Sequence, residues 1–110
     1  MSRLLDEAGV RLDAEGRCLA VSGDVDFEVA AALAASGSEW LARQPSATRL
    51  VLDLSGVERV SSAALSVLLE WTRRAEAAGL VIEGVTLSAP LVRLTRIAGL
   101  DTLLPDATAA

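Results

Sequence analysis

Residues 51–69 read VLDLSGVERVSSAALSVLL, and this stretch decides the fold. Together with Leu50, its first residues form an apolar run at residues 50–54. Such a run is typical of a strand that is covered on both faces or lies parallel to its neighbours. Residues 55–60 predict a connection. From residue 62 to residue 78, apolar side chains recur at helical spacing and predict a helix with one buried face. Such a strand–loop–helix unit indicates a sheet with parallel strands.

The flanking sequence predicts further elements of the same kind. Alternating apolar residues around a turn at residues 13–16 indicate two strands, and an alanine-rich segment indicates a first helix. The predicted strands are residues 9–13, 17–22, 50–54 and 81–87, and the predicted helices are residues 27–43, residues 62–78 and a segment from Pro90 onward. The resulting order β-β-α-β-α-β-α predicts an α/β fold, a mixed β-sheet with helices covering mainly one face.

Three local features qualify this outline. Gly37 lies between two serines inside the first helix and predicts a bend or an early stop there. Val67 and Trp71 lie off the main apolar stripe of the second helix, so they indicate either packing against a neighbouring helix or an exposed ridge for a partner. We expect residues 1–110 to form a single domain with frayed ends at 1–8 and 105–110, and residues 100–104 to pack as a tail.

The composition excludes several classes of chemistry. The 110 residues are 52% hydrophobic and 23% charged, as in a globular domain. There is no histidine, and all ten basic residues are arginine, so histidine acid–base chemistry, the P-loop lysine and Schiff-base chemistry are unavailable. The net charge of −5 with scattered arginines argues against nucleic-acid binding. We therefore predict no enzyme activity, no cofactor and no metal site.

The remaining composition bears on Cys18 and on location. Cys18, the only cysteine, lies in an alternating apolar stretch, where a buried structural thiol is expected rather than a nucleophile. No apolar run approaches the ~20 residues that span a bilayer, and acids follow the first leucines too closely for a secretion signal. We expect a cytoplasmic protein without direct membrane insertion, which could lie at the inner membrane through a partner.

The residues that precede the two main helices are the candidate site. Ser61 and Ser62 are suited to cap the second helix, since a serine oxygen accepts from free N–H groups of the first turn. Asp24 and Asp26 precede the first helix and fit turn and cap roles better than a metal pair. Asp53 ends the buried run and is interpreted as a hydrogen-bonding organiser of the following loop.

These segments, together with the order of elements, resemble the STAS domain, the sulfate-transporter and anti-sigma-factor-antagonist family. The matching stretches are GDVD at residues 23–26, DLSGV at 53–57, VSSAAL at 60–65, PLVRL at 90–94 and GLDTLL at 99–104. The resemblance covers nearly the whole chain, and it implies an STAS-like fold and a non-catalytic role that depends on protein contact.

Within the family, two roles remain open. In anti-sigma factor antagonists, a motif Asp-Ser-Ser/Thr-Gly carries a serine that a partner kinase phosphorylates, and this serine corresponds to Ser62. Here Ser61 replaces the aspartate of that motif and Ala64 replaces its glycine.

The other role is that of the MlaB group, the STAS subunits of bacterial phospholipid-transporting ABC systems. These bind the MlaF-like ATPase subunit, and through it a permease complex, with a hydroxyl residue at the position of Ser62 in the contact. We favour this role. The residues predicted to bind the partner are Arg59, Ser61, Ser62, Ala63 and Ser66, supported by Asp24, Asp26 and Asp53.

Overall fold

A computed structural model of the chain describes residues 2–59, 61–97, 99 and 107–109. Its elements are β1 (Ser2–Glu7), β2 (Val10–Glu15), β3 (Cys18–Gly23), α1 (Phe27–Ala42), β4 (Arg49–Val57), α2 (Ser62–Ala77), β5 (Val81–Leu87), α3 (Ala89–Ile97) and β6 (Ala107–Ala109). The predicted α/β class, and the predicted succession from β2 to α3, are confirmed. Among the described helices, none has the length and hydropathy needed to cross a bilayer.

The sheet combines an antiparallel half with a parallel half. Its strands lie side by side in chain order, with β1, β2 and β3 antiparallel and β3, β4, β5 and β6 parallel. Because consecutive right-handed crossovers run in one direction across the sheet, α1 and α2 lie on the same face. The side chains of Leu50, Leu52 and Leu54 point to that face and are buried in the core. The alternating residues Val51 and Asp53 are only half-buried.

The amino-terminal strand β1 was not predicted. We expected residues 1–8 to fray, but Ser2–Glu7 pairs with β2, and Arg3 Nε donates to Asp13 Oδ1 at 2.9 Å across the two strands. The strand is difficult to recognise in the sequence because a register shift between Arg3 and Leu5 breaks the alternation of apolar residues. The expected tail at 100–104 lies outside the described residues. Of the expected frayed end at 105–110, residues 107–109 form β6 beside β5.

Strand β4 is longer than the apolar run that predicted it. The first residues of the predicted connection 55–60 belong to β4 instead. Gly56 pairs with Ser22 of β3, and Val57 pairs with Gly23. A Cβ at Gly56 would lie 2.7 Å from the Cβ of Ser22. Gly56 therefore permits a close approach of two strands and belongs to β4 instead of the predicted connection.

Helix α1 is continuous through Gly37, so the predicted early stop is wrong. A Cβ at Gly37 would lie 2.3 Å from Cε2 of Trp71, which shows that this glycine makes room for the indole ring. Trp71 is fully buried, and its Nε1 donates to the carbonyl of Ala34 at 3.1 Å. Val67 is buried as well. Both side chains belong to the core, and the interpretation of an exposed ridge is wrong.

Substitution of Gly37 tests this helix contact. We expect Gly37→Ala to lower the free energy of unfolding by about 1–3 kcal/mol, because the added methyl overpacks against a ring held by its own hydrogen bond. This loss should exceed the gain of about 1 kcal/mol in helix propensity. Urea unfolding followed by circular dichroism measures it, with Ala35→Ser on the exposed face of α1 as the control. A stabilised Gly37→Ala protein would contradict the contact.

Candidate functional site

The candidate site lies at one edge of the sheet. Strands β3 and β4 are parallel, so both end at this edge, and each leads directly into the start of a helix. The amide of Glu58 donates to the carbonyl of Gly23 at 3.1 Å and joins the two connecting segments. The beginnings of α1 and α2 are therefore neighbours, although they are more than thirty residues apart in the chain.

Ser61 is a buried cap that connects both helix starts. Its hydroxyl donates to the carbonyl of Val25 at 2.6 Å and accepts from the amide of Ala64 at 2.9 Å. Only 6% of Ser61 is exposed. The predicted cap of α2 is thus found, but the prediction that Ser61 contacts a partner disagrees with this geometry, because its hydroxyl is committed inside the protein.

Ser62 begins α2 and is exposed to solvent, whereas Ala63 and Ala64 are buried. The two neighbouring serines therefore have different environments. Ala63 was predicted to contact a partner, and its burial leaves it without the surface to do so. Ser66 is exposed one turn after Ser62, since residues four apart share a face of a helix.

The charged residues of the site have distinct roles. Asp26 caps α1 as predicted, with its Oδ1 accepting from the amides of Glu28 at 3.0 Å and Val29 at 3.1 Å. Arg59 Nε lies 3.6 Å from Asp24 Oδ2, and both side chains are more than half exposed. Such a surface pair adds little to stability. No cluster of three potential metal ligands occurs within the part of the chain that the structure describes.

Asp53 organises its own segment at a distance from this edge. Its Oδ1 accepts from the amide of Ser55 at 2.9 Å, which is the expected kind of hydrogen bond. Because β4 continues to Val57, Asp53 lies within the sheet, opposite Ala20 and Thr86. Asp53 therefore lies inside the strand, whereas the sequence predicted it at the end of the strand, beside the loop before α2.

Cys18 is less buried than the sequence predicted. It is half-buried at the start of β3, beside the central strand. Burial, together with the charges of Asp53 and Glu15, raises the pKa of the Cys18 thiol above its ordinary value. The protonated form is therefore favoured, and the thiol is a poor nucleophile.

A concave surface of about 280 Å³ lies between the two helix starts, and we call it the edge hollow. Its lining residues are Asp24, Val25, Asp26, Phe27, Arg59, Ser61, Ser62 and Ala63. Phe27 is 74% exposed, which the helical spacing of the sequence did not reveal. Its position directly after the cap Asp26 was an available signal, because core contacts of α1 begin only at Val29.

A larger groove of about 550 Å³ runs between α1 and α2 beyond the edge hollow. Alanines such as Ala30 and Ala34 line one side, and Ser66 and Glu70 line the other. The hydrogen bond from Arg74 lowers the pKa of Glu70, and Arg73 contributes to the same effect. Of the residues predicted to bind the partner, Ser66 lies in this groove, whereas Arg59 and Ser62 lie in the edge hollow.

Alanine substitution of the two serines separates their roles. We expect Ser61→Ala to lower the free energy of unfolding by about 1–2 kcal/mol, because the change removes a cap and leaves the carbonyl of Val25 without its donor. Ser62→Ala is the matched control and should change it by less than about 0.5 kcal/mol. Urea unfolding of both variants checks this, and equal effects would contradict the assigned geometry.

Comparisons with known proteins concern the fold and the family of the chain. A solved structure of an anti-sigma factor antagonist from Mycobacterium paratuberculosis is similar, with 27% identity and a TM-score of 0.67 over 89% of this chain and 83% of that chain. A search of curated proteins finds no match. The family model described as "Mlab, STAS domain" matches residues 8–105. The chain therefore belongs to the STAS domain family, in the group that carries the Mlab description.

Proposed function

We propose that this chain is a non-catalytic STAS module that binds the ATPase subunit of a phospholipid-transporting ABC complex. The description of the matching family supports this role. The absence of histidine and lysine from the sequence supports a role without acid–base or lysine chemistry of its own. ATP would be hydrolysed by the partner, and the module would support assembly and activity of the complex, in the cytoplasm beside the inner membrane.

The proposal rests on the different environments of the two serines, since Ser61 is buried and Ser62 is exposed. Ser61 caps the first turn of α2 from a buried position, so this turn does not depend on Ser62. Ser62 is exposed in the edge hollow beside Arg59 and makes no contribution to the cap. A hydroxyl that is dispensable for the fold, on a pre-organised concave edge, is suited to contact another protein.

Substitutions of Ser62 test this contact. We expect Ser62→Arg to weaken binding to the cognate ATPase subunit by about tenfold or more, because a long charged side chain would separate the two surfaces. Ser62→Asp should weaken binding less, since aspartate is small and suits a helix start. Isothermal titration calorimetry measures both variants.

The matched control is Ser46→Arg. Ser46 is an exposed serine in the loop before β4, at the opposite edge of the parallel strands. It should bind the ATPase subunit as the unaltered chain does. Unchanged affinity of both Ser62 variants, with circular dichroism showing that they are folded, would overturn the proposal.

The second candidate is an anti-sigma factor antagonist, which the similarity to the mycobacterial structure favours. In that role Ser62 would be phosphorylated by an anti-sigma kinase. Its exposure at the start of α2 suits this, since a phosphate there meets the positive end of the helix and free N–H groups. Phosphorylation would add close to two negative charges beside Asp24 and change the contact surface.

Incubation with an anti-sigma kinase and ATP distinguishes the two roles. Intact-mass spectrometry would show a phosphate on the unaltered chain and none on Ser62→Ala if the antagonist role is correct. Under the transporter role we expect no phosphate on either protein, together with binding to the ATPase subunit.

A further inference from the structure

Phe27 is the large apolar side chain of the edge hollow, and the fold does not use it. It is 74% exposed, whereas Val29 and Leu33 on the same helix are almost completely buried. Helix α1 is capped by Asp26 through two backbone amides, so its start does not depend on packing of the phenyl ring. An exposed aromatic ring on a rigid helix start is available to a partner at little conformational cost.

The segments that line the edge hollow are mainly acidic. Asp24 and Asp26 line the hollow with Phe27, Glu28 is exposed directly after Phe27 in the chain, and Glu58 is exposed directly before Arg59. Arg59 is the one cation among the lining residues. The two chain segments that supply the lining, residues 24–28 and 58–63, carry four acidic residues and one arginine, which is a formal excess of negative charge. Aromatic anchors surrounded by charged residues are a common arrangement at protein interfaces.

We propose that Phe27 is a specificity-determining anchor, which inserts into an apolar pocket of the partner protein whose rim carries arginine or lysine. The inference rests on the proposed function and extends it, because it states which partner surface the edge hollow accepts. Charge complementarity around the pocket selects the partner and speeds association. Burial of the ring in the complex supplies the apolar contact that Ser62 cannot provide.

Three substitutions at two positions test the anchor against the purified cognate ATPase subunit. We expect Phe27→Ala to weaken binding by about tenfold or more, and Phe27→Leu to retain most of the affinity because it keeps an apolar side chain. Glu28→Lys should weaken binding and reduce the dependence of affinity on ionic strength. Each variant changes an exposed side chain, so circular dichroism should show an unchanged fold.

Two matched variants serve as controls. Val81→Ala removes another exposed apolar side chain, at the start of β5 and therefore at the opposite edge of the parallel strands. Glu76→Lys reverses an exposed charge near the end of α2, away from the edge hollow. Both should bind the ATPase subunit with unchanged affinity.

The outcomes separate this inference from the proposed function. If Ser62→Arg abolishes binding while Phe27→Ala changes it less than about twofold, the anchor is overturned and the proposed function stands. An equal loss in Val81→Ala would also overturn it, since the effect would not be specific to the hollow. If the unaltered chain does not bind the ATPase subunit, both the proposed function and the anchor are overturned.

Discussion

The parallel alignment of β3, β4 and β5 is the constraint on which the other features depend. Parallel neighbours must be joined by crossovers, so each of these strands ends at the same edge, and α1 and α2 both begin there. The buried leucines of β4 anchor the helix layer to the sheet. Two helix starts that are distant in the sequence consequently share one concave surface, and that surface is the candidate site.

Within this frame, a single buried hydroxyl connects the two helix starts. Ser61 accepts from the first turn of α2 and donates to Val25 in the segment before α1, so it joins the two starts directly. Deeper in the layer, Trp71 of α2 occupies the space that Gly37 leaves in α1 and donates to a carbonyl of that helix. The edge hollow is therefore held by contacts beneath it, and the exposed side chains of Ser62 and Phe27 are available for recognition.

Local patterns predicted most elements of the fold, and they failed where a distant segment decided the outcome. The helix at Ser62–Ala77 and the strand at Val81–Leu87 were predicted almost to the residue, because periodicity and breakers mark them within the sequence itself. Strand β1 was missed because its bulge hides the alternation, and only pairing with β2 defines it. Gly37 was interpreted by its low helix propensity, but the helix continues past it, and the residue makes room for a ring from another helix.

The sequence by itself determined the chemistry that the chain lacks, the strand–loop–helix unit around residues 51–69, and the presence of hydroxyl and carboxylate caps before two helices. The tertiary structure alone decided which of those groups remain available. Ser61 is buried against the segment that holds its acceptor Val25, thirty-six residues away, whereas Ser62 and Phe27 are exposed among the residues that the structure describes. Exposure depends on what packs against a residue from elsewhere in the chain, and local spacing does not encode it.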